Sequence, residues 1–263
     1  MDKEYYVGID IGSTSAKTIV LDPESRICHR FLQPTGWSSV DTAAAIGDRL
    51  AEHGITGQNS AVVATGYGRV SVPYADKSVT EITCHARGAC RLYGESGGAA
   101  GGSLTVIDIG GQDTKIILVE NGAVKDFVMN DKCSAGTGRF LEIMSNTLSV
   151  RPEELCRLAE NGGNTSISSM CTVFAESEVI SLIGRGESRE NIAYAVVDSI
   201  VRKVASQTGR LSVCGEACLT GGLCEFDFLI RSLAAALGRD VHVKPDGRFA
   251  GALGAAICAS ELR

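Results

Sequence analysis

The chain has 263 residues, a formal net charge of −6 and a hydrophobic fraction of 44%, an ordinary balance for a folded protein of one large or two smaller domains. No basic patch stands out that could neutralise phosphates, which argues against a nucleic-acid partner. The N-terminal residues contain no apolar segment typical of a secretion signal, and no later run is long enough to cross a membrane. We therefore expect a cytoplasmic protein.

The first predicted element is a β-hairpin formed by GIDIGSTSAK at positions 8–17. Asp10 ends a β-branched run, Gly12 follows two residues later, and Lys17 precedes a second apolar run. This pattern predicts strand, turn, strand. A turn rich in Gly, Ser and Thr exposes backbone N–H groups that can cradle a phosphate, and an Asp at the strand end can hold Mg²⁺ directly or through water.

The segment VIDIGGQDTK at positions 106–115 repeats this hairpin. Asp108, Gly110 and Lys115 each lie 98 positions after their counterparts. This period is too long for a solenoid and indicates a duplicated domain. One copy alone would be explained as an ordinary hairpin. Two copies with matched Asp, Gly and Lys favour a two-sided phosphate site.

Two of the ten cysteines stand in an unusual context. Cys133 in NDKCSAGTGRFLEIM and Cys171 in SSMCTVFAESEVISLI each precede a helical pattern, with Ser134 and Thr172 as candidate N-caps. A helix N-terminus favours negative charge, so both thiols are candidate thiolate ligands. Taken singly, each cysteine could instead be a buried neighbour of a helix cap.

The other cysteines are interpreted as packing residues, because free cysteine is among the most buried residue types. Cys214, Cys218 and Cys224 are close in sequence, but their spacing matches no ferredoxin pattern. Cys84 and Cys90 lie in a predicted helix. No sequence signal assigns a role to the last three, which are Cys28, Cys156 and Cys258. The four histidines show no metal-ligand spacing and are assigned to the surface or to a satisfied core.

A third glycine element, CLTGGLCEF, places Gly221 and Gly222 between a predicted strand and a predicted helix. Such a turn is a plausible place for adenosine to lie against the backbone, although the signal is weak alone. The last predicted helix is rich in small residues, which allow close packing. These are Gly251, Ala252, Gly254, Ala255 and Ala256.

The two hairpins and the Gly–Gly element resemble the acetate and sugar kinase, heat-shock chaperone and actin ATPases. The motifs DIGGQD, NDKCSAGTGRFLE and CTVFAESEVISL are more specific. Together with TGYGR (65–69), ADK (75–77), CHARG (84–88) and GALGAA (251–256), they resemble the activators (component A) of 2-hydroxyacyl-CoA dehydratases in the BadF/BadG/BcrA/BcrD ATPase family. The ATPase subunits of benzoyl-CoA reductases and the reductases of double-cubane-cluster proteins share these motifs.

The resemblance implies an α/β fold with two ribonuclease-H-like domains of the actin-like ATPase superfamily and with ATP·Mg²⁺ in the interdomain cleft. Residues 1–100 and 249–263 would form domain I. Residues 101–248 would form domain II and contain the two cysteines. The last helix would thus return to the first domain.

The resemblance also implies roles within the ATP site. Asp10 and Asp108 would be the partners of Mg²⁺, with Gln112 or Asp108 orienting the attacking water. The β- and γ-phosphates would be held from two sides, by Gly12, Ser13, Thr14, Ser15 and Lys17 and by Gly110, Gly111 and Gln112. Gly136 and Gly138 would approach the nucleotide, and Gly221 and Gly222 would contact adenosine. Either lysine of the repeat could instead be an exposed strand residue; we place function first only for Lys17.

By the same resemblance, Cys133 and Cys171 ligate one [4Fe–4S] cluster. A cluster of this kind needs four thiolates, so a two-fold homodimer would share it. ATP binding and hydrolysis would then drive one low-potential electron to a 2-hydroxyacyl-CoA dehydratase or a double-cubane-cluster protein. Ferredoxin or flavodoxin would be the electron donor.

Two alternatives stay open at this point. A small-molecule kinase of the same superfamily would need a substrate pocket and a catalytic base, and it would be colourless. A non-redox ATP-driven switch would keep its function after Cys133→Ser.

Overall fold

The computed structural model describes residues 3–94, 102–169, 171–213 and 215–262, which form two five-stranded sheets and eight α-helices. The strands are β1 (Tyr5–Ile11), β2 (Ser15–Leu21), β3 (Ile27–Pro34), β4 (Ser60–Thr65), β5 (Lys77–Ser78), β6 (Ser103–Ile109), β7 (Thr114–Glu120), β8 (Ala123–Asn130), β9 (Glu216–Gly221) and β10 (Val241–His242). The helices are α1 (Ser39–Glu52), α2 (Glu81–Tyr93), α3 (Gly138–Thr147), α4 (Pro152–Ala159), α5 (Thr172–Gly184), α6 (Arg189–Thr208), α7 (Asp227–Leu237) and α8 (Ala250–Ser260). Cys214 lies outside the described residues.

The two sheets have the same topology, in the orders β3-β2-β1-β4-β5 and β8-β7-β6-β9-β10. In each, three antiparallel strands are followed by two strands parallel to the first. The registers match as well, because Asp10 lies opposite Lys17 and Asp108 lies opposite Lys115. The repeat predicted from the sequence therefore forms two hairpins at equivalent positions.

Hydrophobic patterning explains the layers. The central strands β1 and β6 are almost continuously buried, because helices cover both faces of each sheet. The edge strands β3 and β8 instead alternate between more and less exposed residues. Side-chain caps fix several helix starts; Ser38, for example, accepts a hydrogen bond from the Asp41 N–H at the start of α1.

Helices α2 and α8 cross between the two sheets. Helix α8 packs on the first sheet, and α2 packs Ala86, Ala89 and Tyr93 on the second. A Cβ added at Gly88 of α2 would overlap the Ala250 carbonyl, and one at Gly254 of α8 would overlap the Cys84 carbonyl. The close packing predicted for the last helix is therefore present.

Strands of the first sheet lie between positions 5 and 78, and those of the second lie between 103 and 242. The predicted domain boundary at 100/101 falls outside the described residues, and the proposed division stays a prediction. None of the helices in the described ranges combines the length and the apolar character needed to cross a membrane.

Candidate functional site

The two glycine turns of the repeat meet across the cleft between the sheets. A Cβ added at Gly111 would overlap the Thr14 Oγ1 and would lie 3.1 Å from the Ser13 Oγ. Only a glycine allows the second turn to come this close to the first. The hydroxyl-rich turn of the first hairpin and the turn at Gly110 and Gly111 of the second hairpin are therefore in direct contact.

Backbone hydrogen bonds shape the first turn. The Gly12 N–H donates to the Ser15 carbonyl at 3.2 Å, and Thr35 Oγ1 donates to the Gly12 carbonyl at 2.7 Å. The ammonium of Lys17 lies by this turn, 3.4 Å from the Ser15 carbonyl. The predicted phosphate-binding residues of the first hairpin are therefore adjacent in space, with Thr14 exposed at the tip.

The second turn holds the start of α3. The Gly110 N–H donates to the Asp113 carbonyl at 2.9 Å, while the Gly110 carbonyl accepts from the Gly138 N–H at 2.9 Å. The Gly111 carbonyl accepts from the Arg139 N–H at 2.7 Å. The first turn of α3 is thereby fixed to the predicted phosphate loop, and Gln112 stays exposed beside it.

Asp10 is buried, with 5% of its surface exposed, and two glycines approach its carboxylate. A Cβ would lie 2.5 Å from Oδ1 at Gly66 and 2.7 Å from Oδ2 at Gly251. Within the described residues, no hydrogen bond or ion pair engages this carboxylate. Asp10 is thus a carboxylate left available inside the cleft, as expected of a group that binds hydrated Mg²⁺.

Asp108 occupies the equivalent place on β6, but its carboxylate is already engaged. Its Oδ2 lies 3.2 Å from the Lys115 Nζ, its Oδ1 accepts from Thr220 Oγ1 at 3.2 Å, and His85 Nδ1 lies 3.6 Å from Oδ1. Burial alone raises the pKa of the Asp108 carboxyl, but His85 and Lys115 outweigh it and lower the pKa to about 2. Asp108 is therefore a charged, internally balanced group.

The interpretation of Lys115 as an exposed strand residue is wrong, because Lys115 is buried. Only 2% of its surface is exposed, and its Nζ also lies 2.8 Å from Glu81 and 2.7 Å from Asp113. Burial lowers the pKa of the Lys115 ammonium, but Asp108, Asp113 and Glu81 together raise it. Glu81 begins α2, so Lys115 ties that helix to the second hairpin.

His85 was missed by the sequence analysis, which assigned the histidines to the surface or a satisfied core. Its side chain is buried beside both aspartates of the repeat, and its Nδ1 has no hydrogen-bond partner among the described residues. A Cβ at Gly251 would lie 2.8 Å from His85 Nε2 and 2.7 Å from an Asp10 oxygen. The motif CHARG was the available signal, but nothing in its spacing indicated this position.

Gly221 and Gly222 follow the end of β9 and lie beside β6. The Gly222 N–H donates to the Ile109 carbonyl at 3.1 Å, and nothing lies within 4 Å of a Cβ added at Gly222. Gly222 lines a cavity of about 440 Å³ together with Glu225, Phe226 and Arg248. This partly apolar cavity, with Gly222 in its wall, has room for a nucleoside.

The position of Gly136 is less direct. Its carbonyl accepts from Thr114 Oγ1 at 2.7 Å, and a Cβ would lie 2.7 Å from the Lys203 side chain of α6. Gly136 thus connects β7 to the loop that contains Cys133, and its predicted contact with the nucleotide stays a prediction.

The segments that contain Cys133 and Cys171 are adjacent. Ser134 Oγ and Thr172 Oγ1 are hydrogen-bonded at 2.6 Å, Cys133 is partly exposed and Cys171 is exposed. No cluster of three or more His, Cys, Asp or Glu within the described part of the chain could hold a metal ion.

The predicted helix caps need correction. Helix α3 begins at Gly138, so Ser134 does not cap it, because residues 134–137 form a turn in which the Thr137 N–H donates to the Ser134 carbonyl at 3.1 Å. Asn130 Nδ2 holds this turn by donating to the Cys133 carbonyl at 2.7 Å. Helix α5 begins one residue before the predicted place, because Cys171 is its N-cap and Thr172 is its first residue.

The cysteines assigned to packing are buried or partly buried where they are described, with one exception: Cys28, on β3, is exposed. Cys84, Cys218 and Cys224 are buried, and Cys90 is partly buried. The thiols around the Gly–Gly element thus belong to the core.

The sequence matches the model of the BadF/BadG/BcrA/BcrD ATPase family over residues 7–259. The chain belongs to this family. It is 40% identical over 260 residues to the activator of lactoyl-CoA dehydratase from Anaerotignum propionicum, with 98% of each chain covered. The motifs that suggested this family are thus part of an end-to-end similarity.

Two crystal structures of activators resemble this chain. Component A of (R)-2-hydroxyglutaryl-CoA dehydratase from Acidaminococcus fermentans superposes with a TM-score of 0.89 at 38% identity over 98% of both chains. The activator of 2-hydroxyisocaproyl-CoA dehydratase from Clostridium difficile, with bound ADPNP, gives 0.88 at 36% identity over 98% of this chain and 94% of that one. The predicted α/β fold of the actin-like ATPases is therefore confirmed.

Proposed function

We propose that this protein is an ATP-dependent reductive activator: a homodimer that shares one [4Fe–4S] cluster and couples ATP hydrolysis to one-electron transfer at low potential. The observation on which this rests is the hydrogen bond between Ser134 and Thr172, which brings the Cys133 and Cys171 segments together next to a two-sided phosphate site. Activator relatives at 36–40% identity support the proposal.

In this proposal, the contact between Gly111 and Thr14 is where the β- and γ-phosphates bind. Backbone N–H groups and hydroxyls of both turns would hold the phosphates, and Lys17 would add a positive charge. Asp10 would be the main partner of Mg²⁺, since its carboxylate is available, whereas Asp108 would act with Gln112 on the attacking water. The cavity at Gly222 would receive adenosine.

The thiol set fits half of a cluster site. Four thiolates are needed for [4Fe–4S], and each chain would provide Cys133 and Cys171. When bound, the cluster supplies a single low-potential electron. Cys171 lies at the start of α5, where the helix dipole favours the negative charge of a thiolate.

An exposed apolar face on α5 supports the homodimer. Its large side chains are more than two-fifths exposed, and the helix begins directly after Cys171. They are Val173, Phe174, Ile180 and Ile183. A two-fold axis through this face would place four cysteines together and cover the apolar side chains.

Bonded contacts link the two sites. The carbonyls of Gly110 and Gly111 hold α3, and Thr114 holds the loop after Cys133. A shift of the second turn on binding or losing the γ-phosphate would therefore reach Cys133 through a few hydrogen bonds. Such a shift would change the solvent exposure of the thiolates and so their redox behaviour.

The electron acceptor would be a 2-hydroxyacyl-CoA dehydratase or a double-cubane-cluster protein, and the donor would be ferredoxin or flavodoxin. The kinase alternative is not favoured by the named relatives. The non-redox switch leaves the paired cysteine segments without a role.

Anoxic purification tests the proposal. We expect a brown dimer with about four iron and four sulfide per dimer. Cys171→Ser should lose both and should abolish reduction of the acceptor, with ATP binding retained. Cys28→Ser is the matched control, because Cys28 is also exposed but lies on β3 of the first sheet, and it should keep the full iron content.

A colourless wild-type protein, or Cys171→Ser with a full complement of iron, would contradict the proposal. A colourless protein that phosphorylates a sugar would favour the kinase. A colourless protein that assembles on ATP binding would favour the switch.

A further inference from the structure

Two thiols that the proposed function does not use lie where α2 and α8 cross. A Cβ at Gly254 would overlap the Cys84 carbonyl and would lie 2.9 Å from the Cys84 Cα, so the backbones almost touch at this point. Cys258 lies one helical turn after Gly254, on the same face of α8. Cys84 and Cys258 belong to one buried cluster, 0% and 8% exposed.

The two thiols have opposite acid–base character. A hydrogen bond from the Cys84 thiol, aided by the nearby Arg87 guanidinium, outweighs burial and lowers the pKa of the Cys258 thiol to about 7. The same hydrogen bond, together with burial, raises the pKa of the Cys84 thiol. Cys258 is thus the more readily ionised and more nucleophilic thiol of the pair, with Cys84 as its hydrogen-bonding neighbour.

A surface cavity reaches Cys258. It has a volume of about 200 Å³, and its wall includes Cys258, Thr83, Lys77 and Arg87. Arg87 is also ion-paired with Glu261 at the cavity rim. Since a water molecule occupies about 30 Å³, a small polar oxidant fits, and the two cations favour a polar guest.

We propose that Cys258 is an oxidation site for hydrogen peroxide, with Cys84 as the resolving thiol. The Cys258 thiolate attacks the peroxide; an S–O bond forms, the O–O bond breaks, and the leaving oxygen departs as water after taking up a proton. Cys258 is now a sulfenic acid. The Cys84 sulfur then attacks Cys258; the S–S bond forms, the S–O bond breaks, and the oxygen leaves as water with the Cys84 proton. Two thiols and one peroxide give one disulfide and two waters.

The disulfide has a mechanical consequence that rests on the proposed function. Both thiols belong to the cluster that packs on β4 of the first sheet, whereas Ala86, Ala89 and Tyr93 of the same α2 pack on the second sheet. The bond would therefore fix α8 to the helix on which the second sheet packs. Cleft motion would be restricted, and ATP turnover would stop under the oxidising conditions that iron–sulfur chemistry cannot tolerate. Reduction of the disulfide would restore turnover.

The experiment uses the anoxic holoprotein treated with equimolar hydrogen peroxide, followed by thiol blocking and peptide mass mapping. We expect a Cys84–Cys258 disulfide in the wild type, and a free Cys84 thiol in both Cys258→Ser and Cys258→Ala. Cys28 is the internal control: it is exposed, but burial of its sulfur raises the pKa of its thiol, so it should react roughly tenfold more slowly.

ATP hydrolysis is then measured before treatment, after treatment, and after a phosphine reductant, which reopens a disulfide but does not rebuild a damaged cluster. The proposal predicts that the wild type loses ATP hydrolysis on peroxide treatment and regains it after reduction. In Cys258→Ser, the phosphine should restore no activity, because no disulfide has formed. Cys258 reacting no faster than Cys28, or oxidised without a bond to Cys84, would overturn it. A cross-linked protein with unchanged turnover would overturn the clamping consequence.

Failure of the proposed function would look different. If the disulfide forms in a protein that hydrolyses no ATP before treatment, the oxidation site stands and the activator function does not.

Discussion

Lys115 and Lys17 occupy the same position in the two copies of the repeat, yet they do different things. Lys115 is buried against Asp108, Asp113 and Glu81, whereas Lys17 lies beside the backbone of its own turn. In the second copy, the aspartate is neutralised within the fold. In the first copy, it is left available in the cleft. Duplication thus produced one carboxylate with internal partners and one suited to a metal.

Replacing Lys115 tests this difference. Lys115→Met should lower the free energy of unfolding by about 3–5 kcal/mol, because it leaves the buried Asp108 carboxylate without its main cation. Urea denaturation measures the loss. Lys125→Met is the control: its ion pair with Glu120 is exposed, so the cost should stay below about 1 kcal/mol. Equal effects of the two substitutions would contradict a special role for Lys115.

The stability of the protein at acidic pH should depend on the protonation of Asp108. The pKa of its carboxyl is about 2 in the fold against 3.8 for a free aspartate, so its stabilisation is nearly complete above about pH 5 and is lost as the pH falls towards 2. This loss is on the order of 2 kcal/mol. Denaturation series between pH 5 and pH 2 should show it in the wild type. In Lys115→Met, burial would raise the pKa of Asp108 with less opposition. The loss of stability on acidification should therefore be absent or reversed.

At the scale of the element, the crossing of α2 and α8 is the feature that connects the sheets. Gly254 and Gly88 let the two backbones approach so closely that no side chain fits between them. The same crossing brings His85 and Glu81 of α2 to the aspartates of the cleft. The packing of α2 against α8 therefore also positions His85 and Glu81 in the candidate site.

Gly254→Ala should therefore destabilise the protein by at least about 3 kcal/mol, since the added methyl group would overlap a backbone carbonyl that cannot move independently. Urea denaturation of the variant and the wild type measures the difference in the free energy of unfolding. Gly184→Ala, at the end of α5 with nothing within 4 Å, should instead change stability by between zero and about +1 kcal/mol. A Gly254→Ala protein as stable as the wild type would show that the helices can separate at low cost.

At the scale of the whole molecule, two similar halves enclose a polar cleft, and the second half presents the cysteines beside an exposed apolar helix. The first half has its own exposed apolar group, which includes Trp37 at the start of α1. Only the α5 face lies next to Cys171. This placement makes α5 the expected contact between the subunits of the proposed homodimer.

Phe174→Asp should weaken the dimer at least roughly 30-fold, since it puts a charge where a 67% exposed aromatic ring would be covered. Sedimentation equilibrium under anoxia measures the association. Trp37→Asp is the matched control, because Trp37 is fully exposed on the other half, and it should leave the dimer intact. Equal weakening by both substitutions would place the interface elsewhere.

Much of the fold could be predicted because its signals are local. The hairpins follow from β-branched runs on either side of a glycine turn, and the constant offset between Asp10 and Asp108 revealed the duplication. The start of α5 was placed to within one residue. The loop after Cys133 was not, because the bonds that delay α3 until Gly138 come from Gly110 and Gly111, more than twenty residues earlier.

The sequence by itself determined the two hairpin turns of the repeat and the turn at Gly221 and Gly222, since each depends on neighbours within about ten residues. Tertiary structure alone decided which aspartate is neutralised, where His85 lies and which thiols face each other. Those outcomes depend on α2 and α8, which are over 150 residues apart in the chain and are brought together by packing. Buried charges and thiols acquire their properties from such distant partners, and no local pattern records them.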